Sequence, residues 1–212
     1  MCAGFLAAAV LYWHGATLQA DVVNVNPSRT DQKAYMKEAK AYHADLWGYV
    51  SHRNRMPVYL LLQSLVYRKG MSDAEFFARG KRFNIVLSMV LLVLLYLTLR
   101  RVLAPLPATV LLGVTAFTIW VFKAGFFQAE LLFYALTCWA FLLMARVLVR
   151  PTWRGALAAG AVSGLAHLTK ASILPGFVLF LATGAVRALW SLRGPAGNPG
   201  RFQTHLLALA AA

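Results

Sequence analysis

Residues 83–99 read FNIVLSMVLLVLLYLTL and stop at Arg100 and Arg101. As a helix rising 1.5 Å per residue, this uncharged run is about 26 Å long, close to the ~30 Å hydrocarbon core of a bilayer. It lacks the apolar–polar alternation of a barrel strand. Similar runs cover Cys2–Leu18, Leu106–Phe122, Leu131–Val149, Gly155–Ile173 and Pro175–Trp190. The whole chain is 60% hydrophobic and 13% charged, with a mean hydropathy of +0.61. A soluble domain carries about a quarter charged residues. These patterns predict an all-α polytopic membrane protein with about six transmembrane helices and a large helical first extracytoplasmic loop. The expected divisions are 1–20 (first span), 21–82 (loop), 83–192 (spans two to six) and 193–212 (a cytoplasmic loop and the start of a seventh span). The closing HLLALAAA, residues 205–212, is too short to cross a bilayer. The expectation is that the chain stops inside that span, as the N-terminal portion of a longer protein.

The charges set an orientation. The net charge is +14, from 21 Lys and Arg against 7 Asp and Glu. Arg100 and Arg101, then Arg146, Arg150 and Arg154, then Arg187, Arg193 and Arg201 mark alternate connections, and positive connections stay in the cytoplasm. This places the N-terminus on the cytoplasmic side, and the expected location is the plasma (inner) membrane. The Asp21–Arg82 segment and the turns at Lys123–Glu130 and Lys170–Pro175 then lie outside. Basic residues also suit contact with membrane lipid. Nucleic acid is the weakest reading of the charge, because no motif for it is present, and no nucleic-acid partner is expected. Cys2 and Cys138 both sit in apolar runs and suggest neither a disulfide framework nor a thiolate metal site.

The outer loop holds six of the seven acidic residues. From Asp31 in SRTDQKAYMKEAKAY, residues 28–42, and on to Asp45, helical spacing puts Asp31, Tyr35, Glu38, Tyr42 and Asp45 on one face, and Lys33, Lys37 and Lys40 opposite. The plain reading is a surface helix capped by Ser28 or Thr30, with lysines toward anionic lipid and Asp31 favouring the helix dipole. Pro57 suits the first turn of a second helix, whose Tyr59, Leu60, Leu62, Leu65 and Val66 form a face for the membrane. Ser72 is a cap ahead of the second span. Glu130 and Lys170 sit at the outer ends of spans four and five. Ionisable groups at that depth either pair, snorkel or serve function. His167, one turn before Lys170, reads first as a packed residue.

Taken in order, these motifs resemble the GT-C superfamily of membrane glycosyltransferases, in the branch of the protein mannosyltransferases and lipid A aminoarabinose transferases. DQKAY (Asp31, Tyr35) matches the acidic DE-x-x-Y-like motif that opens the first outer loop. RMPVYLLLQSLVY supplies a basic residue, Arg55, shortly before a proline. FFARGKRFN leads into span two, QAELLFY carries Glu130, and GLAHLTKASILP carries Lys170. The resemblance implies inverting transfer of a hexosyl or pentosyl group from a polyprenyl-phosphate-linked donor, outside the cytoplasm, to a glycan, lipid or protein acceptor. Asp31 takes the role of catalytic base. Tyr35, Gln32 and Glu130 become the acceptor- and donor-site wall, and Arg55 and Lys170 the lipid-phosphate contacts. A divalent cation stays open as a cofactor, with no metal ligand assigned. Gln32 stands where many members carry a second acid, and an uncharged amide suits a cation poorly. The family is also longer than this chain. The competing reading is a transporter or flippase-like membrane protein handling an anionic lipid or solute; a third is a non-catalytic scaffold, which predicts no dependence on Asp31.

Overall fold

The computed structural model of the chain describes residues 2–51 and 55–193. The expected Gly/Pro loop after Arg193 and the apolar run 205–212 lie outside the described residues. Within them the chain is helical, without a strand: α1 Cys2–Leu18, α2 Gln32–Ala44, α3 Leu46–Ser51, α4 Pro57–Ser64, α5 Asp73–Leu99, α6 Pro105–Thr115, α7 Val121–Ala124, α8 Glu130–Val149, α9 Trp153–Thr169 and α10 Leu174–Arg193. Two π-helical turns interrupt this order, Gln19–Val23 after α1 and Ala116–Trp120 between α6 and α7. The chain divides into two compact units between Leu132 and Phe133, inside α8.

Among the described residues, four stretches are long and apolar enough to cross a membrane: Asp73–Leu99, Pro105–Ala124, Glu130–Val149 and Ala171–Trp190. The chain is thus an all-α polytopic membrane protein. The expected count of about six rests on adding α1 and α9, which have 17 residues each, the short end of the spanning range. Apolar side chains cover both faces of α5. Ile85, Leu91, Leu92 and Leu95 point inward, while Val86, Val90, Val93 and Leu97 are exposed. A helix that is apolar all round belongs in lipid.

In the first unit, α5 starts ten residues ahead of its apolar run. Ser72 Oγ accepts from the Glu75 N–H (3.2 Å), Asp73 and Glu75 complement the dipole, and Glu75 pairs with Arg79 (3.0 Å). α5 therefore extends ten residues ahead of its apolar run, as a pillar for the segment that joins α1 to α5. Small residues bring α1 and the π turn after it close to their neighbours: Ala16 and Ala20 are fully buried, and Tyr12 Oη donates to Ser88 Oγ of α5 (2.8 Å). A Cβ on Gly125 would lie 2.7 Å from the backbone nitrogen of Ala20, so only glycine allows this approach.

The segment between α1 and α5 is a packed cap. α2 lies along α4 and touches α5, and α4 is bonded to the first half of α5 through Gln63 and Tyr59. Their core is Tyr35, Met36, Ala39, Tyr59, Leu60, Phe76, Phe77 and Phe127. This corrects two expectations. Tyr59 and Leu60 turn inward against α2 instead of lying on the membrane, because α2 presents Tyr35, Met36 and Ala39 for them to bury against; Leu61 and Leu65 are the exposed pair. Neither Ser28 nor Thr30 caps α2. Asn26 accepts from the Ser28 N–H (2.8 Å) to open a short 3₁₀ turn, Pro27–Arg29, and Thr30 Oγ1 accepts from Gln128 Nε2 (2.9 Å). Asp31 occupies the α2 N-cap position without a side-chain capping bond.

The second unit packs the rest of α8 with α9 and α10. Ala156, Ala159 and Ala166 of α9 are fully buried, in a core with Ala140, Met144, Val147, Ile173 and Phe180. Thr152 caps α9 by accepting from the Gly155 N–H (3.2 Å).

Candidate active site

The α2 N-terminus carries the candidate base. With no capping bond to hold it, the Asp31 side chain swings outward and is 63% exposed, and its Oδ2 lies 3.1 Å from Arg55 Nη1. Arg55 precedes α4, where Pro57 at the first turn forces the chain into extended geometry at Met56. The Tyr49 hydroxyl donates to the Arg55 carbonyl (3.2 Å) and pins that corner. The Arg55 guanidinium also lies over the Tyr35 ring, 5.1 Å from its centroid. Three residues named from sequence, at positions 31, 35 and 55, thus form one cluster.

Tyr35 links the cluster to the core. Its ring meets Tyr59 edge-on (5.4 Å), Tyr59 meets Phe127 (6.1 Å), and Phe127 meets Phe76 (5.2 Å). Burial raises the Tyr35 phenol above its ordinary pKa of 10; the negative charges of Glu130 and Asp31 add to that, and Arg55 opposes it. Burial raises Tyr59 well above the same value, against the lowering effect of hydrogen bonds from Asn84 and Gln63. Both phenols are neutral donors and acceptors at physiological pH. Glu130, half-buried in the first turn of α8, acts on both tyrosines. Two carboxylates, a guanidinium and a neutral phenol share one neighbourhood.

Gln32 follows Asp31 but points the other way. It is fully buried, and its amide exchanges two bonds with Asn24 (2.7 and 2.8 Å) while its Oε1 also accepts from the Phe127 N–H (2.8 Å). Asn24 Nδ2 donates in addition to the Gly125 carbonyl (2.7 Å). This amide pair ties the loop after α1 to α2 and to the turn before α8. It stands behind the site as a brace. The Gln32 oxygen is committed to protein donors, and among the described residues no three His, Cys, Asp or Glu side chains gather to hold a metal ion. The residues present do not fit a divalent cation at this motif.

Two supporting residues escaped the sequence reading. Lys81, buried in α5, donates to the carbonyls of Ala20 and Asn24 (2.9 Å to the latter) and lies over the Phe77 ring. Asn84 donates to Tyr59 Oη (2.8 Å) and to the Phe126 carbonyl, and accepts from Gln63 Nε2 (3.0 Å). Their signal was a lysine and an asparagine at the mouth of an apolar run, where an unpartnered polar group is costly. Lys170 ends α9 in the second unit, half-buried, its backbone extended and its N–H bonded to the Ala166 carbonyl (2.8 Å). His167 is half-buried in the last turn of the same helix.

No curated protein and no solved structure matches the chain. A family model does: dolichyl-phosphate-mannose-protein mannosyltransferase, over residues 57–211, about three quarters of the sequence. Glu130 and Lys170 fall inside the match, and Asp31, Gln32, Tyr35 and Arg55 precede it. With its membrane-length helices and its helical cap, the chain belongs to the dolichyl-phosphate-mannose-protein mannosyltransferase family, membrane glycosyltransferases of the GT-C type.

Proposed function

We propose that the chain carries the base and the donor-phosphate contacts of an inverting glycosyltransferase that uses a polyprenyl-phosphate-linked sugar on the outer face of the plasma membrane. The observation that carries the reading is the exposed Asp31 carboxylate held beside the Arg55 guanidinium (3.1 Å), on a cap otherwise closed by aromatic packing. A transfer site needs an accessible proton acceptor next to a cation for the leaving phosphate.

In the reaction, an acceptor hydroxyl gives its proton to Asp31 as its oxygen bonds to the anomeric carbon. The anomeric carbon–phosphate oxygen bond breaks on the opposite face, and its electron pair leaves with the polyprenyl phosphate. Arg55 meets the charge that develops on that phosphate. Lys170 keeps a lipid-phosphate role by resemblance alone. Tyr35 supplies a neutral phenol and a platform for the guanidinium, and Glu130 a second carboxylate toward the acceptor. Acceptors in this reading are glycan, lipid or protein hydroxyls.

The test is sugar transfer from a polyprenyl-phosphate donor by wild type and Asp31→Asn in the same membranes. Loss of a general base costs about 10²–10⁴-fold in rate, and that loss is expected with donor binding retained. Normal transfer by Asp31→Asn rejects the assignment.

A further inference from the structure

The ion pair has a consequence for the order of events. In this structure one of the two Asp31 carboxylate oxygens is engaged by Arg55, and withdrawal of the guanidinium makes that oxygen available to an acceptor as well. Arg55 is held loosely by comparison with what it can bind. Its Nη1 makes a single contact with Asp31, and its Nε is buried with no hydrogen-bond partner. A guanidinium presents a planar fork of donors that a phosphate can engage through two bonds at once. The Asp31 partner is largely exposed, and exposed pairs are the weakest class of salt bridge. The Tyr35 ring beneath the guanidinium (5.1 Å) lets it rotate in plane while keeping its cation–π contact.

We propose that Arg55 is an exchange residue. The donor's phosphate displaces Asp31 from the guanidinium, and the released carboxylate becomes the base. Donor binding then precedes base activation, and the resting protein keeps Asp31 engaged. The inference rests on the glycosyltransferase reading for the use made of Asp31, but the exchange itself is a binding property. The chemistry recognised is an anionic phosphate: the phosphodiester of the lipid-linked sugar, the polyprenyl phosphate monoester it leaves behind, or free inorganic phosphate.

The test is a double-mutant cycle on the affinity of the purified full chain for polyprenyl phosphate, with neutral polyprenol and inorganic phosphate as parallel probes. Removing the internal competitor should tighten binding, so Asp31→Asn lowers Kd by about 1.5- to 5-fold, the worth of an exposed ion pair. In an Arg55→Gln background, where binding is weaker, Asp31→Asn should then have no effect. Polyprenol should be indifferent to all substitutions. A matching response to inorganic phosphate assigns the effect to the phosphate alone, and a response confined to the lipid assigns it to the lipid head group.

Several results would overturn the exchange: no binding of either phosphate by wild type, an unchanged or higher Kd for Asp31→Asn, or a gain that persists without Arg55, as a general charge effect would. Transfer activity is read separately. Coupling without transfer removes the catalytic reading and leaves the exchange; Asp31-dependent transfer without coupling removes the exchange alone.

Discussion

Asp31 and Gln32 are adjacent in sequence and have opposite fates. Helical geometry turns consecutive side chains by about 100°, so when Gln32 faces the core Asp31 faces out. Gln32 can be buried because its amide both donates and accepts, and Asn24 and the Phe127 N–H complete that set. An acid at position 32 would bury a charge and lose the donor half of the exchange with Asn24. Gln32→Glu is therefore expected to destabilise the cap by at least as much as Gln32→Ala, which strands two buried groups at about 1–3 kcal/mol each. Thermal unfolding of the detergent-solubilised protein, followed by protease sensitivity of the cap, measures this. A Gln32→Glu variant as stable as wild type would show that the brace is dispensable.

At the scale of elements, glycine positions show which contacts are tight. Gly80 in α5 faces Phe127 and Gln63; an added Cβ would lie 2.0 Å from the Phe127 ring and 2.8 Å from Gln63 Oε1. Helix propensity alone favours Gly80→Ala by about 1 kcal/mol, but the clash moves the ring at the centre of the aromatic chain, an overpacking cost of about 1–3 kcal/mol. The expected net effect is destabilisation, and with it a loss of Tyr35 and Arg55 positioning. Gly113 in α6 has open space, so Gly113→Ala should be neutral or stabilising by up to about 1 kcal/mol. Comparing the two unfolding midpoints separates packing from propensity. Equal shifts would contradict the packing account.

At the scale of the molecule, the orientation is open to direct measurement. In a background with Cys2→Ser and Cys138→Ser, Lys37→Cys on the exposed side of α2 should react with a membrane-impermeant maleimide in intact cells. Arg101→Cys, in the connection after α5, should react only after permeabilisation. The reverse pattern would put the cap and Asp31 in the cytoplasm and remove the outer-face reading. Both positions are exposed in the folded chain, so accessibility reports sidedness and not burial.

Apolar runs of membrane length and a loop rich in charge determined the helical membrane architecture before any coordinates, because hydrocarbon leaves the backbone few choices. Motif order likewise singled out Asp31, Tyr35 and Arg55, and spacing placed Pro57 and Ser72 at helix starts. Which way α2 and α4 face was not legible. α2 mixes apolar and charged residues on overlapping arcs, α4 carries no charge to mark a solvent side, and periodicity alone does not tell lipid from a neighbouring helix. Tertiary packing decided it, by giving Tyr59 and Leu60 a partner in α2. That same choice sent Gln32 inward, left Asp31 uncapped and in reach of Arg55, and recruited Lys81 and Asn84 to satisfy carbonyls and hydroxyls from distant segments. Those contacts depend on buried polar groups finding partners across the fold, which local sequence does not encode.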